Sequence, residues 1–240
     1  MPKHFFHASV IDGENITLEG DVAHHLIHVL RSTVGDTLTL CDGQSTDYAV
    51  VVVQIEKSRL ICRIINKTPC ITEPRTSVTV YQALPKADKL ELVIQKSVEL
   101  GAVAIVPVIT SRTIIRKVDD KKTSRYQKIA EAAAGQSMRG IIPVVHTGIQ
   151  FKQMLSKIEG QQTIVAYENE HNATLKSVIS REKPQFLNIL IGPEGGIAPN
   201  EAEMLMSIGA KLVTLGPRIL RTETAAIAML AQVMCLLEEE

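Results

Sequence analysis

Aromatic residues are scarce in this chain, and its charge has no excess of either sign. Only 3% of the 240 residues are Phe, Tyr or Trp, and none is Trp. An extended stacking platform for nucleic-acid bases is therefore excluded. Lysine and arginine number 26 together and the acidic residues also number 26, which argues against a protein that coats nucleic acid without selectivity. Any contact with nucleic acid has to come from a local basic surface.

The cysteines and the apolar runs exclude two further classes. Cys41, Cys62, Cys70 and Cys235 are too scattered for a C-x-x-C metal or redox motif, so we expect four buried, reduced thiols. The amino-terminal residues lack the apolar core of a signal peptide, and the longest apolar run, 101–110, is too short to cross a bilayer. We therefore expect a cytoplasmic protein with no membrane partner.

The first seventy residues have the pattern of a small β-barrel. Four β-rich runs are separated by turn residues such as Gly-Asp and Asp-Gly: 16–18, 37–40, 48–55 and 60–65. One helix, 21–31 with Asp21 as its cap, interrupts them. The polar segment 72–77, which contains Pro74, is the best linker. The expected domains are therefore 1–72 and 73–240.

The second domain has the alternating pattern of an α/β fold with a parallel sheet. A strand at 78–84, a helix at 85–100 and a strand at 103–109 form a βαβ unit. Two later apolar runs, 187–191 and 211–215, each stop at Gly-Pro, as buried parallel strands do where the chain turns. We expect these two strands to be neighbours, with their following loops on one edge of the sheet.

Between these two strands, Pro199 starts a short helix. The pattern predicts Asn200 as its cap and Glu203 as the reciprocal partner in a capping box. The run 163–166 is a further short strand whose loop should reach the same edge of the sheet.

The segment 192–196 is the strongest candidate for a ligand loop. Its three glycines let the main chain approach a ligand closely, and we expect Gly195 to adopt positive φ. The loop is neither a Walker sequence nor G-x-G-x-x-G. The residue pattern alone thus indicates a nucleotide-sized pocket and leaves the ligand open.

Two motifs identify a family. I-G-P-E-G-G-I-A-P-N-E, from Ile191, and L-G-P-R-I-L-R-T-E-T-A-A, from Leu215, resemble the small-subunit ribosomal RNA uridine N3-methyltransferases of the SPOUT superfamily. The resemblance covers essentially the whole chain. It implies a PUA-like RNA-binding β-barrel followed by a SPOUT α/β domain, with a trefoil knot at about 163–226 that binds S-adenosylmethionine. It also implies a homodimer paired through the last helix, 16S ribosomal RNA in the small ribosomal subunit as substrate, and no metal.

The resemblance and the loop positions together assign the cofactor site. Its residues follow three strands and lead into the last helix: Ala166, Glu168, Ile191, Gly192, Glu194, Gly195, Gly196, Leu215, Gly216, Ile219, Leu220, Arg221 and Thr222. Methylation at uridine N3 requires loss of the N3 proton, either to a general base or through stabilisation of the anion by a cation. Arg221 and Glu223 are the catalytic candidates and Arg218 is a third, while the identity of the base stays open.

A local excess of positive charge supplies the expected RNA surface. The segment 112–139 holds eight basic and three acidic residues, and such an excess beside an α/β edge favours RNA backbone, although charge runs are often only solvated. The residues assigned to RNA are His28, Arg31, Lys86, Arg112, Lys121, Lys122, Arg125, Gln136 and Arg139. Lys89 and Lys96 are interpreted as solvated lysines. His24 and His28 share a helix face, but no acidic or cysteine ligand is evident nearby, so an RNA-facing role is preferred to a metal site.

Two positions depart from the family pattern. Gly135 and Met138 stand where the family usually has Glu and Gly, so no chemistry is assigned to position 135. The expected function is S-adenosylmethionine-dependent methylation of uridine N3 in 16S ribosomal RNA. Two alternatives stay open, namely a SPOUT methyltransferase acting on another RNA or base, and a non-catalytic RNA-binding factor of ribosome assembly.

Overall fold

The computed structural model describes residues 3–114, 120–179 and 183–238. Two compact units are present: Met1–Glu73 with Ala134–Ile142, and Pro74–Ala133 with Pro143–Glu240. The segment Ala134–Ile142, which lies within the expected second domain, therefore packs with the first unit. The domain limits 1–72 and 73–240 stay a prediction. Arg116 and Lys117 of the basic run lie outside the described residues.

The first unit is built on one mixed, six-stranded sheet. Its strands are β1 (His4–Phe5), β2 (Ile11–Asp12), β3 (Asn15–Leu18), β4 (Thr37–Cys41), β5 (Thr46–Ile55) and β6 (Leu60–Pro69). They lie in the order β1-β4-β5-β6-β3-β2, with β1 parallel to β4 and the other pairs antiparallel. The four predicted strands are confirmed. The edge strands β1 and β2 do not pair with each other in the described part of the chain, so the sheet forms a half-barrel.

The helix inserted into this sheet is shorter than the sequence predicts. After a 3-10 turn at Ala8–Val10, helix α1 (Gly20–His24) passes into a π-helical turn at His25–Val29. Its N-cap is Glu19, so the prediction of Asp21 as the cap is wrong; Asp21 lies in the first turn, where its charge suits the helix dipole. The helical run ends before Arg31, whose φ of 55° is incompatible with a right-handed helix.

A buried ion pair holds the segment 134–142 within the first unit. Arg139 donates from Nε and Nη2 to the two carboxylate oxygens of Glu73, at 2.9 and 2.7 Å, and its side chain is only 3% exposed. The amides of Gly140 and Ile141 donate to the same carboxylate. Burial alone would raise the pKa of Glu73, but Arg139 and these amides stabilise the carboxylate and hold the pKa below its ordinary value.

The departures at positions 135 and 138 have a local structural basis. The Lys3 amide donates to the carbonyl of Gly135 at 2.9 Å, and a Cβ on Gly135 would lie 2.7 Å from the Lys3 carbonyl oxygen. The glutamate that the family usually carries there does not fit while residue 3 occupies this place. Met138 has a φ of 62°, the left-handed conformation that favours the glycine usual in the family.

The second unit is a parallel sheet flanked by helices. Its strands are β7 (Ser77–Ala83), β8 (Ala104–Ile109), β9 (Val144–Val145), β10 (Ile149–Gln150), β11 (Thr163–Ala166), β12 (Phe186–Ile191) and β13 (Lys211–Val213). Its helices are α2 (Lys89–Glu99), α3 (Asp120–Gln136), α4 (Phe151–Ile158), α5 (Leu175–Val178), α6 (Pro199–Ser207) and α7 (Thr222–Glu238). The strand order is β10-β8-β7-β12-β11-β13, β9 pairs with β8, and all pairs are parallel. The predicted parallel α/β sheet is thus confirmed.

Strands β12 and β13 are not neighbours, so that prediction is wrong. Strand β11 lies between them: Ile164 pairs with Ile189 of β12 and with Lys211 of β13. The connection through α6 therefore crosses over β11, which a rule based on consecutive strands does not anticipate. Because all three strands are parallel, their carboxyl ends still meet at one edge.

Helix α6 begins earlier than its predicted cap. Its N-cap is Ala198 with Pro199 in the first turn, so the assignment of Asn200 and Glu203 as a capping box is wrong. Glu201 takes that role instead: it is 4% exposed and accepts from the amides of Ala198, at 3.2 Å, and Ser111, at 2.8 Å. This carboxylate therefore ties the loop after β8 to the start of α6.

The thiols differ in exposure. Cys41 and Cys62 are buried, and burial raises the pKa of each to about 12. Cys70 is half-buried and Cys235 is exposed, so the prediction of four buried thiols is wrong. Over the described residues, no helix has the length and apolar character needed to cross a membrane.

Candidate functional site

A cavity of about 500 Å³ lies at the carboxyl edge of the parallel sheet. The loops after β11, β12 and β13 and the start of α7 form its walls. All thirteen residues assigned to the cofactor from the sequence line it: Ala166, Glu168, Ile191, Gly192, Glu194, Gly195, Gly196, Leu215, Gly216, Ile219, Leu220, Arg221 and Thr222. Sequence reasoning therefore brought the right segments together, although their contact with a cofactor stays a prediction.

Further residues line the same cavity. Arg218, the third catalytic candidate, is among them. Those that sequence reasoning missed are Tyr167, His171, Pro193, Thr214, Pro217 and Ala225. Each lies within a few residues of an assigned position on the same loop or helix, so extending the assignment along each loop would have found them.

The glycine loop is shaped by Gly196 and not by Gly195. Gly196 has a φ of 70°, whereas Gly195 is not among the residues with positive φ, so the expectation for Gly195 is wrong. A Cβ on Gly196 would lie 1.7 Å from Oε1 of Glu168, but one on Gly195 would meet Arg112 only at ordinary contact distance, 3.5 Å. Gly196 is therefore favoured by its left-handed backbone conformation, and an added Cβ would also force the carboxylate end of the Glu168 side chain to move.

Arg112 holds the glycine loop from outside. Its Nη1 donates to the carbonyl oxygen of Gly195 at 2.8 Å and lies 3.9 Å from Oε1 of Glu168. The sequence assigns Arg112 to RNA, but here the loop after β8 brings it to the glycine loop. Its side chain is 43% exposed, so part of the guanidinium still faces solvent.

A buried polar bridge fixes the start of α7. The hydroxyl of Thr222 donates to the carbonyl oxygen of Gly192 at 2.6 Å and accepts from Nε2 of Gln82 at 2.9 Å. Gln82 is fully buried near the end of β7, and its Oε1 has no hydrogen-bond partner among the described residues. Sequence reasoning missed Gln82, although an amide near the end of a buried apolar strand is the signal that would have found it.

Lys89 is ion-paired and not merely solvated, contrary to its interpretation from the sequence. Its Nζ lies 3.2 Å from Oε1 of Glu194 and 3.1 Å from Oε2 of Glu223. These two carboxylates raise the pKa of Lys89, with Glu223 as the larger cause. Partial burial alone would raise the pKa of Glu194, but the Lys86 amide, 3.0 Å away, and the Lys89 ammonium lower it.

The structure does not bring Glu223 to Arg221. Glu223 does not line the cavity, its side chain is 14% exposed, and across the described chain no hydrogen bond or ion pair joins it to Arg221. Arg218 and Arg221 are exposed cavity residues, and no carboxylate among the residues described forms an ion pair with either. Their guanidinium groups are therefore available to a ligand or substrate.

The residues assigned to RNA have different surroundings in the two units. Lys86, Lys121 and Lys122 of the second unit are exposed, as are His28, Arg31 and Gln136 of the first unit. Arg125 pairs with Glu91 and approaches Asp88 at 4.0 Å, so part of its charge is already neutralised. Arg139 is buried on Glu73, and its environment indicates a role within the first unit instead of a phosphate contact.

The histidines of the first unit do not form a metal cluster. The rings of His24 and His28 lie 4.8 Å apart between centroids, as their helical spacing predicts. Within the ranges that the structure describes, no group of three or more His, Cys, Asp or Glu residues has a metal-binding arrangement.

Known proteins share both units of this chain. Residues 72–234 match the RNA methyltransferase domain family, and residues 18–65 match the RNA methyltransferase PUA domain family. The chain belongs to the RNA methyltransferase family. Within it, ribosomal RNA small subunit methyltransferase E of Bacillus subtilis is 35% identical, over 97% of this chain and 96% of the relative. The protein of the same name from Mycobacterium tuberculosis is 33% identical, over 92% of this chain and 86% of the relative.

Solved structures of this family carry the cofactor. Ribosomal RNA small subunit methyltransferase E from Neisseria gonorrhoeae, bound to S-adenosyl methionine, has a TM-score of 0.88 and 31% identity, over 98% of each chain. A putative methyltransferase from Legionella pneumophila, in complex with the same cofactor, has a TM-score of 0.85 and 28% identity, over 97% of this chain and 96% of that one.

Proposed function

We propose that this protein transfers a methyl group from S-adenosylmethionine to N3 of a uridine in 16S ribosomal RNA of the small ribosomal subunit. The observation that carries the proposal is the cavity at the carboxyl edge of the sheet, which gathers all thirteen residues assigned to the cofactor from the sequence. Membership of the RNA methyltransferase family supports the reaction class. The choice of N3 and of 16S RNA rests on the two carboxyl-terminal motifs.

The cavity residues fit S-adenosylmethionine in size and charge. A volume of about 500 Å³ lies within the usual range for pockets of small ligands. The carboxylate of Glu168 suits the cationic sulfonium and amino groups, while Arg218 suits the carboxylate of the same molecule. Gly196 has a φ of 70°, so the loop adopts this conformation without strain only with glycine there. When bound, the cofactor supplies an electrophilic methyl group.

Arg221 is the residue that we propose for the chemistry. Loss of the N3 proton leaves negative charge on the uracil oxygens, and a guanidinium offers two parallel donors to such acceptors. Arg221 lines the cavity, is exposed and has no carboxylate partner in the described chain. Glu223 stays a candidate base from the sequence, but its ion pair with Lys89 favours an indirect role.

The RNA backbone is proposed to lie on the exposed cations of the second unit. Lys86, Lys121 and Lys122 are exposed there, and Arg112 is 43% exposed beside the glycine loop. Phosphate contacts of this kind position an RNA without reading its sequence. His28, Arg31 and Gln136 are proposed as separate contacts from the first unit.

The knot and the dimer also belong to this proposal. The chain passes from β12 through α6 and over β11 to β13, a crossing that agrees with a trefoil knot at about 163–226 as the family resemblance implies. Helix α7 is proposed to pair with its copy across a two-fold axis. Because the proposed substrate is ribosomal RNA of the small subunit, the activity is expected in the cytoplasm.

Nucleoside mass spectrometry of ribosomal RNA tests the function. A strain that lacks the gene should lose 3-methyluridine from 16S RNA, and the wild-type gene should restore it. Loss of a different methylated nucleoside would assign the enzyme to another RNA or base. If no nucleoside changes but small-subunit assembly does, a non-catalytic RNA-binding factor replaces the proposed enzyme.

A further inference from the structure

The ammonium of Lys89 joins two carboxylates that come from separate segments bordering the cavity. Glu194 belongs to the glycine loop and Glu223 to the first turn of α7, and both lie within 3.2 Å of the Lys89 Nζ. The three side chains are 29%, 27% and 14% exposed, so water screens these pairs less than pairs on an open surface. We name Lys89, Glu194 and Glu223 the carboxylate clamp.

The charge balance of the clamp argues against a direct contact of Lys89 with RNA. A phosphate would have to compete with two carboxylates that already hold the ammonium. The oxygen of Glu223 that faces Lys89 has no hydrogen bond of good geometry in the described chain, so this ion pair is its main stabilising contact. Removal of the ammonium would therefore leave a largely buried carboxylate without a partner.

The two carboxylates would respond differently to loss of Lys89. Glu194 keeps a second donor, because the Lys86 amide lies 3.0 Å from its Oε1. Among the residues that the structure describes, Glu223 has no such second donor, and repulsion from Glu194 would push it away. Glu223 follows Arg221 and Thr222 directly in the chain, so a displaced Glu223 would move the segment that carries the proposed catalytic arginine.

We propose that Lys89 is a positioning residue for methyl transfer: it holds the first turn of α7 to the glycine loop and thereby keeps Arg221 at the cavity. The effect of Lys89 on methyl transfer rests on the proposed function. The clamp itself is a property of the protein without ligand, and it is testable without turnover.

The clamp is expected to persist over the whole neutral pH range. The raised pKa of Lys89 means that its contribution is present below the ordinary value of 10.5 and is lost only as pH rises through the raised pKa. The lowered pKa of Glu194 means that its contribution is present above the ordinary value of 4.5 and is lost as pH falls through the lowered pKa. Loss of Lys89 should therefore lower the methylation rate by a similar factor at pH 7 and at pH 9.

The test compares Lys89→Met with Lys96→Met. Lys96 is a matched control because it lies on the same helix, is ion-paired with Glu99 at 2.8 Å, is 36% exposed and does not line the cavity. Lys89→Met should lower the single-turnover methylation rate about tenfold, with an unchanged KM for the small subunit, whereas Lys96→Met should stay within about twofold. Lys89→Arg keeps the charge and should recover most of the rate.

A double variant separates positioning from base catalysis. Adding Glu223→Gln to Lys89→Met removes the unpaired carboxylate, so part of the lost rate should return. If Glu223→Gln alone is instead far more damaging than Lys89→Met, Glu223 acts in the chemistry and the positioning role of Lys89 is overturned. Should Lys89→Met fail to fold, Lys89→Gln repeats the comparison.

Hydrogen exchange provides the readout that does not require activity. Lys89→Met should speed amide exchange at Gly195, Gly196 and Thr224 relative to wild type, and Lys96→Met should leave these amides unchanged. If the wild type is active and the two variants have equal amide exchange and equal methylation rates, the clamp is overturned. A wild type without methylation would defeat the proposed function, while the exchange result would still decide the clamp.

Discussion

Gly195 and Gly196 are adjacent but respond differently to an added methyl group. Gly196→Ala introduces a Cβ beside the Glu168 carboxylate at a φ of 70°, and left-handed backbone costs a non-glycine residue about 1 kcal/mol or more. Gly195→Ala adds only an ordinary contact with Arg112. Calorimetry with S-adenosylmethionine should therefore show a Kd raised about tenfold or more for Gly196→Ala and changed much less for Gly195→Ala.

The pair of variants serves as its own control, since both add one methyl group to the same loop. If Gly195→Ala is the more damaging of the two while its fold is intact, the cofactor approaches Gly195 and the loop is shaped by the ligand more than by Glu168.

Arg221 is expected to act through the shape of its guanidinium as well as its charge. Arg221→Lys keeps the positive charge but loses the planar fork, so single-turnover methylation should fall by about a hundredfold, equivalent to roughly 3 kcal/mol. Raising the pH should partly restore the rate, because solvent then assists removal of the N3 proton.

Arg218→Lys is the comparison for this prediction, because Arg218 lines the same cavity. A full rate for Arg221→Lys with a large loss for Arg218→Lys would transfer the proposed role to Arg218. An equal loss for Arg221→Lys at every pH would indicate positioning and not anion stabilisation.

Gly135 is a helical glycine, but its replacement by Ala should destabilise the protein instead of stabilising it. In an exposed helix interior, Gly→Ala stabilises by about 1 kcal/mol. Here a Cβ would lie 2.7 Å from the Lys3 carbonyl oxygen, so Gly135→Ala should lower the free energy of unfolding by roughly 1 to 3 kcal/mol. Urea unfolding measures the change, and an increase in stability would show that residue 3 does not occupy this place in solution.

At the scale of elements, helix α3 is the part of the basic run that tests RNA binding. Lys121 and Lys122 are exposed near its start, while Arg125 is paired with Glu91. Replacing both lysines with Ala should reduce the slope of log affinity against log salt by about two, since each phosphate contact releases about one counterion. Arg125→Ala should change the slope less.

The affinity for S-adenosylmethionine is the control for these α3 variants and should be unchanged, because neither lysine lines the cavity. An unchanged salt slope in the double variant would mean that the start of α3 is only a solvated face.

Local sequence signals placed most elements but misjudged how some of them begin and how they are ordered. The four main strands of the first unit and the parallel strands around the glycine loop follow from apolar runs ended by turn residues. The cap of α6 was wrong because Pro199 takes the first helical turn and Glu201, buried against Ser111, accepts from the amide of Ala198 in the role predicted for Glu203. Ser111 is 90 residues away along the chain, so no local pattern contains that contact.

At the scale of the whole molecule, the remaining prediction concerns assembly. Helix α7 should pair with its copy to give an isologous dimer, so light scattering should report a solution mass near twice 26.3 kDa. Replacing the exposed residues Gln232 and Cys235 of α7 with Glu should favour the monomer, because four like charges would meet across the two-fold axis. A wild-type monomer at micromolar concentration would contradict the prediction.

The sequence by itself determined which loops form the cavity, because a parallel strand that ends in Gly-Pro or Gly-rich residues marks its own carboxyl end, and parallel strands share that edge. The resemblance of two motifs to a known family then assigned individual residues of these loops to a cofactor. All thirteen assigned residues therefore reach one cavity. The tertiary structure alone decided which charges are available there. Arg139 is ion-paired with Glu73, and Lys89 is ion-paired with Glu194 and Glu223, whereas Arg221 is exposed. The physical reason is that an ion pair depends on distances of a few ångströms between residues that are remote in the chain. The sequence shows that a side chain is charged but does not show which opposite charge lies beside it.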